Sequence, residues 1–561
     1  MPPNPPLLMI EKFTEGWVSP SATSNLQLDP SAAYDIKNVE YHPRGAISKR
    51  EGFRSYTMSS TPITGVMKIF PWEDHAGNHK TFVYTTTSSG NLSAECYLVE
   101  LSGAVASNVL TAQKAFSAEL YTNRANLWSP NITADEIHVA SYAGSAVAVA
   151  GGSGPPLIYH TTAGSAVPCT SVYYSGAKHI AAWGNYLFLG NILDSGTRER
   201  SRIQWNLGAG SIWLSAVSWP ASYYIDLDAD DGDEITGMHL LGDKLVVFKQ
   251  KKIFLVWYTG DSTLFTYRRQ SSDIGCIAGN TIIQKGEYLY FLGINGFYRF
   301  DGEAATEVSS KIKDKVIENV NHSLVSVHNA GIYEKHRQIW FAVNYTPFDA
   351  ATENADHIRI ANAIFVFDYE LKNWTLYDIK ASALASCVIN TTTQAEDLII
   401  GHFKQTDANR QSCLSKFGSQ TSDTYQNAIS SYWVSKWMDV QDPTRNKRLL
   451  RTTIIADQEG TETDTYSLTW EMREDWKEYR FNTTIASAAA SGTALLTGSS
   501  TTLSGETLAS YRTGNPMEIR VDLSRTFRAW QLKLSNAVSA HPWTVHKIVF
   551  EGMVKGRTKV T

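Results

Sequence analysis

The chain has 561 residues, 43% of them hydrophobic and 19% charged, enough apolar material for large buried cores. A net charge of −5 excludes a protein that grips DNA through a broad basic surface, but not one that surrounds DNA without holding it. No run of eighteen apolar residues exists, so no membrane span is expected. The five cysteines (Cys96, Cys169, Cys276, Cys387 and Cys413) show no C-x-x-C spacing and read as reduced, mostly buried thiols suited to a reducing cytoplasm.

Residues 1–60 form an N-terminal arm and platform strands. MPPNPPLLMIEKF has no basic n-region and does not read as a signal peptide; its prolines predict an extended arm. Asp29-Pro30 opens a turn leading into Ala33, Tyr34, Ile36 and Val39. The Pro43-Arg44-Gly45 turn precedes the short strand Ala46 to Arg50, and Glu51-Gly52-Phe53 is a further turn.

Residues 61–429 repeat one unit. Hairpin turns near Gly77, Gly144, Gly184, Gly242, Gly286, His336 and Ala395 are each flanked by apolar strand pairs. Most intervals between them are roughly forty to sixty residues, close to known propeller repeats. The least interrupted stretch, Asp233 to Gly302, holds two such units. Tyr288, Tyr290 and Leu292 alternate with Leu289 and Phe291, so both strand faces are apolar, as a blade packed between two neighbours requires. Asn295-Gly296 predicts a type I′ hairpin. A helix is expected from Ser309 to Val320, with Ile312, Val316, Ile317 and Val320 near one face and Ser309 or Ser310 as N-cap. About seven units are expected.

From 430 to 561 the strands alternate on one side only, interrupted by the low-complexity stretch 486–510. This predicts a sandwich-like platform domain to which the N-terminal segment adds strands. The fold class is therefore all-β: a β-propeller inserted into a β-rich platform built from the N- and C-terminal segments. The arm at 1–12 and the loop at 486–510 are expected to order on assembly, because neither can bury a core alone.

Candidate chemistry is sparse. Asp226, Asp228, Asp230, Asp231, Asp233 and Glu234 have the i, i+2, i+4 spacing of a calcium loop. Gly232 falls at the seventh position instead of the sixth, and Gly237 stands where a twelfth-position Glu is needed, so a solvated acidic loop is the expectation. His75 and His79 have a helical metal-pair spacing inside a turn, where it gives no common face. His336 and His402 read as hairpin or core histidines. Glu471, Glu474 and Asp475 could suggest a glycosidase carboxylate pair but sit where a hairpin turn is expected. Arg445, Lys447, Arg448 and Arg451 read as an exposed hairpin end. No G-x-S-x-G, H-E-x-x-H, Walker A or G-x-G-x-x-G motif is present, nor the GH…WD pattern of WD40 repeats. No catalytic, cofactor-binding or metal residue is assigned, and no enzyme activity or cofactor is expected.

Two stretches, AAYDIKNVEYHPRGAISKREGFRSY and DEITGMHLLGDKLVVFKQKKIFLVW with its continuation through EVSSKIKD, resemble the tail-hub or nozzle proteins of short-tailed bacteriophages, including the packaged-DNA stabilisation and tail-tubular B-type proteins. The resemblance covers roughly residues 25–60 and 225–315. It implies a structural virion protein that forms a homo-hexameric ring below the portal and its adaptor. Such a ring extends the DNA exit channel, helps retain packaged DNA and docks fibres or spikes, without binding the passing duplex specifically. The alternative is a carbohydrate-binding or glycoside-cleaving propeller with an accessory sandwich domain, its aromatics serving as sugar platforms. A cellular interaction propeller is a third reading.

Overall fold

The computed structural model describes residues 6–19, 28–55, 57–58, 63–73, 76–77, 79–87, 94–100, 109–116, 136–142, 145–150, 156–159, 166–168, 176–194, 196–207, 219–261, 263–270, 273–348, 361–390, 395–402, 414–418, 423, 428–457, 467–476, 480–484, 494–495, 516–538 and 542–557.

Among the described residues between 53 and 417 lie seven small sheets, antiparallel apart from one short edge pair, numbered here as blades. Blades two to six each use four consecutive strands, as in blade four: Ile235–Leu241, Lys244–Lys249, Ile253–Tyr258 and Phe265–Arg269. The first, innermost strands or the turns preceding them touch their neighbours from blade to blade, and those of blade seven touch those of blade one. The ring closes there: Val66 N donates to His402 O at 3.1 Å. Among the described residues, inner hairpin turns fall at the predicted places, with Gly184, Gly242 and Gly286 at φ of 55°, 59° and 60°, a region glycine enters without steric cost; Gly144 and the turn before Ala395 lie outside the described residues.

The cores lie between blades because the middle strands, such as Lys244–Lys249 and Tyr288–Gly293, are apolar on both faces. In blade five, Leu289 and Phe291 pack with Val246, Phe248, Ile253 and Leu255 of blade four. The alternate residues Tyr290 and Leu292 pack towards Phe341 and Phe367 of blade six. The double-faced reading of this stretch therefore becomes two separate inter-blade cores.

Blade seven is completed from the other end of the chain. Its strands Ala383–Asn390, Ala395–Gly401 and Leu414–Phe417 take Phe53–Ser55 as their outer strand, with Phe53 opposite Phe417. Phe53, read from sequence as part of a turn in the platform segment, belongs to the propeller. Thr57–Met58 then pairs in parallel with the outer edge of blade one, at Val109–Leu110.

Both chain ends build the platform. One sheet runs Val39–Tyr41, Ile47–Lys49, Thr544–Arg557, Arg445–Asp457, Pro516–Phe527, with Pro6–Ile10 also paired to Thr544–Arg557. The other runs Ala33–Lys37, Ser431–Ser435, Trp530–Asn536, Ser467–Glu474, Arg480–Thr484. Residues 6–10, expected to order on assembly, thus already hold a place in a sheet. Of the 486–510 stretch, only Ala494–Leu495 is described, paired with Ser467–Leu468; the rest lies outside the described residues.

Two local expectations need correction. The helix is a 3-10 turn, Ser310–Ile312, followed by Lys313–Asn319, and Ser309 does not cap it: its hydroxyl instead accepts Phe297 N at 2.9 Å. Ile312, Val316 and Val320 are buried, but Ile317 is 46% exposed. At Asn295-Gly296 the positive φ is on Gly296 and not on Asn295. Glycine is needed there because a Cβ would stand 2.4 Å from Ser309 Oγ.

Platform and propeller share one continuous core. Trp17, Trp433, Trp470 and Trp530 of the platform segments belong to the same buried cluster as Phe297, Phe365 and Trp374 of blades five and six. Residues 14–17 and 38–39 lie along the outer strand of blade six. Trp17 N donates to Trp374 O at 2.9 Å, Asn38 N to Leu376 O at 2.8 Å, and Thr375 Oγ1 to Val39 O at 2.6 Å. Trp374 anchors this seam: its ring lies 4.9 Å from both Phe297 and Phe367, and its Nε1 donates to Val308 O at 2.9 Å. Trp374→Ala is expected to cost about 3–5 kcal/mol of stability and to lower one cooperative unfolding transition. Calorimetry showing two separated transitions in the parent protein, only one of them moved, would contradict a shared core.

Candidate functional site

Polar side chains from five blades gather on the innermost strands, where the propeller axis runs. Lys68 comes from blade one, Glu136 and His138 from the start of blade two, and Lys178 and His179 from blade three. Glu234 immediately precedes blade four, and Asn280 lies in the 3-10 turn Gly279–Thr281 before blade five. His138 Nε2 and Glu136 Oε2 are 3.0 Å apart, and the His138 and His179 rings meet edge to face at 4.6 Å. Lys68 Nζ donates to Asn280 Oδ1 at 2.6 Å. Glu234 receives Lys178 Nζ at 3.2 Å and Asn191 Nδ2 at 3.0 Å. Gly279 permits the close packing: a Cβ there would sit 2.2 Å from Thr236 O and 3.0 Å from His138 Cε1.

Burial sets the electrostatics. It pushes the Glu136 carboxyl up to about 7, although His179, Lys68 and Lys178 oppose it. It pushes both His138 and His179 down to about 3 and Lys68 down to about 8. Glu234 is also desolvated, but Lys178 and Asn191 outweigh this and hold it below the ordinary carboxylate range. One carboxyl thus keeps its proton to near neutrality beside an unprotonated imidazole, while a second stays ionised. Such a split is what acid–base chemistry uses, and it equally suits a buried polar plug between blades.

Apart from Glu234, the last member of the acidic run, the residues singled out from sequence are elsewhere and otherwise occupied. The acidic run is neutralised by cations: Arg202 grips Asp226 at 2.7 and 2.9 Å, and Lys249 and Lys252 reach Asp231 at 3.0 and 2.7 Å. Asp233 accepts the backbone N–H of Gln250 and Lys251. A calcium ion would have to displace these partners. His75 lies outside the described residues, so its pairing with His79 has no geometry to report. His336 faces Glu40, and His402 Nδ1 donates to Lys380 O at 2.8 Å. Glu471 is held by Lys533 at 3.3 Å, and Asp475 caps Arg528 N at 2.6 Å. Arg445, Lys447, Arg448 and Arg451 belong to a thirteen-residue central strand and not to a hairpin end; Lys447 is buried and donates to Arg528 O at 2.8 Å. Among the described residues, no three His, Cys, Asp or Glu side chains converge as metal ligands. Cys276 and Cys387 are buried, their thiols pushed up to about 12 by burial. The thiols of Cys96, Cys169 and Cys413 lie outside the described side chains.

No family model matches the chain, and no curated protein matches it. Among solved structures it is similar to a glycoside hydrolase, at 9% identity over 89% of this chain and 100% of that one, with a TM-score of 0.25. It is also similar to the WD40 domain of Neurospora crassa Pan2, at 7% identity over 66% of this chain and 96% of that one, with a TM-score of 0.33. Likenesses this distant carry no functional argument.

The axial carboxyl makes stability depend on pH. Glu136 has a folded value near 7 against about 4.5 in the unfolded chain. Its contribution is therefore complete below about 4.5 and lost as pH rises through about 7. Glu136→Gln is expected to remove a slope on the order of 2–3 kcal/mol between pH 5 and pH 8. Denaturant melts at the two pH values measure it; an unchanged slope in the variant would contradict the assignment.

Proposed function

We propose that the chain is a structural subunit of a bacteriophage tail, a nozzle or hub protein that assembles into a homo-hexameric ring around the exiting DNA. The observation that carries this reading is the insertion of a closed propeller into a platform made by both chain ends, with one core running through the two. A protein that must hold packaged DNA under load needs its protruding module fixed to its assembly module, and a shared core does that better than a linker. The resemblance at residues 25–60 and 225–315 points the same way. In this reading the partners are other copies of the chain, an adaptor on the head side, and fibres or spikes. Duplex DNA passes without specific binding, consistent with the net charge of −5. The place of action is the virion tail, assembled in the host cytoplasm, and no cofactor or catalytic residue is called for. Mass measurement of the purified chain with its adaptor is expected to give six copies; a strict monomer in that mixture would count against the proposal.

A second reading is a carbohydrate-binding or glycoside-cleaving propeller. One observation favours it: Glu136 and Glu234, both beside His179, are pushed in opposite directions as an acid and a base would be. The name of the glycoside hydrolase neighbour fits this reading, but its TM-score gives it no weight. Hydrolysis of chromogenic glycosides that disappears in Glu136→Gln would favour the second reading over the first.

A further inference from the structure

A titratable pair bridges platform and propeller and is used by neither reading. Glu40, in the platform strand Val39–Tyr41, is only 4% exposed. Its carboxylate faces His336 Nδ1 and accepts Gln338 Nε2 at 3.1 Å. His336 ends the 3-10 turn Glu334–His336, in the inner hairpin of blade six, with its ring 4.7 Å from Tyr333. Gln338 is itself fixed, its Oε1 accepting Trp340 Nε1 at 2.9 Å. Both propeller contacts therefore converge on one buried platform carboxylate.

We propose that His336 and Glu40 form a proton-dependent latch between propeller and platform, tight while the imidazole is charged and weakened when it is neutral.

The surrounding charges support the direction. Burial lowers the affinity of His336 for its proton, but the hydrogen bond and charge of Glu40, helped by Glu51, outweigh burial and hold it above the ordinary histidine value; Lys335 opposes them. His42, two residues beyond Glu40, faces the same pair, but burial keeps it below the ordinary value, and its Nε2 lies 2.7 Å from Ser48 Oγ. Tyr333 and Tyr377 are neutral, both pushed up by burial. Arg50 is nearby, but its guanidinium is engaged by Asn38 at 2.8 Å and by Asp423 at 2.8 and 2.7 Å. His336 is thus the cation matched to Glu40. Because its folded value is raised above about 6.5, the stabilisation is complete below that pH and lost as pH rises through the folded value. Deprotonation leaves a buried carboxylate without its counter-charge, which is destabilising.

Hydrogen exchange of the full chain at pH 6 and pH 9, corrected for intrinsic rates, tests this. Opening at residues 39–41 and 334–343 is expected to rise about tenfold or more at the higher pH, relative to Tyr186–Asp194 in blade three. His336→Gln, a donor without charge, is expected to remove that dependence, and His336→Arg to keep the junction closed at pH 9. A parent protein with no local pH dependence would overturn the latch whatever the variants do. So would a His336→Gln protein that keeps the slope.

Discussion

The pairing of Phe53–Ser55 with Leu414–Phe417 is the constraint on which the rest depends. It joins residues more than 350 positions apart and supplies the outer strand of the last blade. The same N-terminal segment has by then run through the platform and along blade six. Closing the propeller and assembling the platform are therefore coupled in the folded protein, since residues 33–50 of the platform lead directly into the strand that completes blade seven. A contact of such sequence separation carries a high loop-closure cost, and folding through it is expected to be slow.

The shared core follows from that path. Trp17, Trp374 and Trp433 belong to one cluster, so platform and blade six meet through packed side chains. Polar contacts then fix the register at the seam: Asn38, Thr375 and Glu40 each pair across it with backbone or side chains of the other module. Elsewhere on the propeller, charge is handled locally. Lys249 is wholly buried and stays paired because the acidic loop folds over it, with Asp231 and the Asp228 carbonyl as partners. The run of acids is in this sense structural: removing Lys249 would leave desolvated carboxylates short of a partner.

Much of this was legible in the sequence because it rests on local chemistry. Glycines at Gly184, Gly242 and Gly286 mark hairpins, since few other residues adopt their backbone conformation. Period-2 alternation around Leu289 and Phe291 marks strands buried on both faces. What could not be read was distant pairing. Phe53–Ser55 is too short to register as a strand alone, and nothing adjacent in sequence announces Leu414–Phe417 as its partner. The axial cluster was missed for the same reason: Glu136, His179 and Glu234 are some forty to sixty residues apart, Glu136 and His179 look like isolated polar residues near strand starts, and Glu234 reads as the end of the acidic run. Only superposing the units would have shown that these starts all face the axis. Asn295-Gly296 misled in another way, because its glycine answers to the close approach of Ser309 and not to a type I′ turn.

We propose that this propeller and platform together form one rigid ring subunit. Cryo-EM of the assembled protein with its adaptor tests it most directly. Six copies are expected around a channel wide enough for duplex DNA, with each propeller held in one orientation on its platform. Isolated single chains, or propellers in varied orientations on well-ordered platforms, would contradict it.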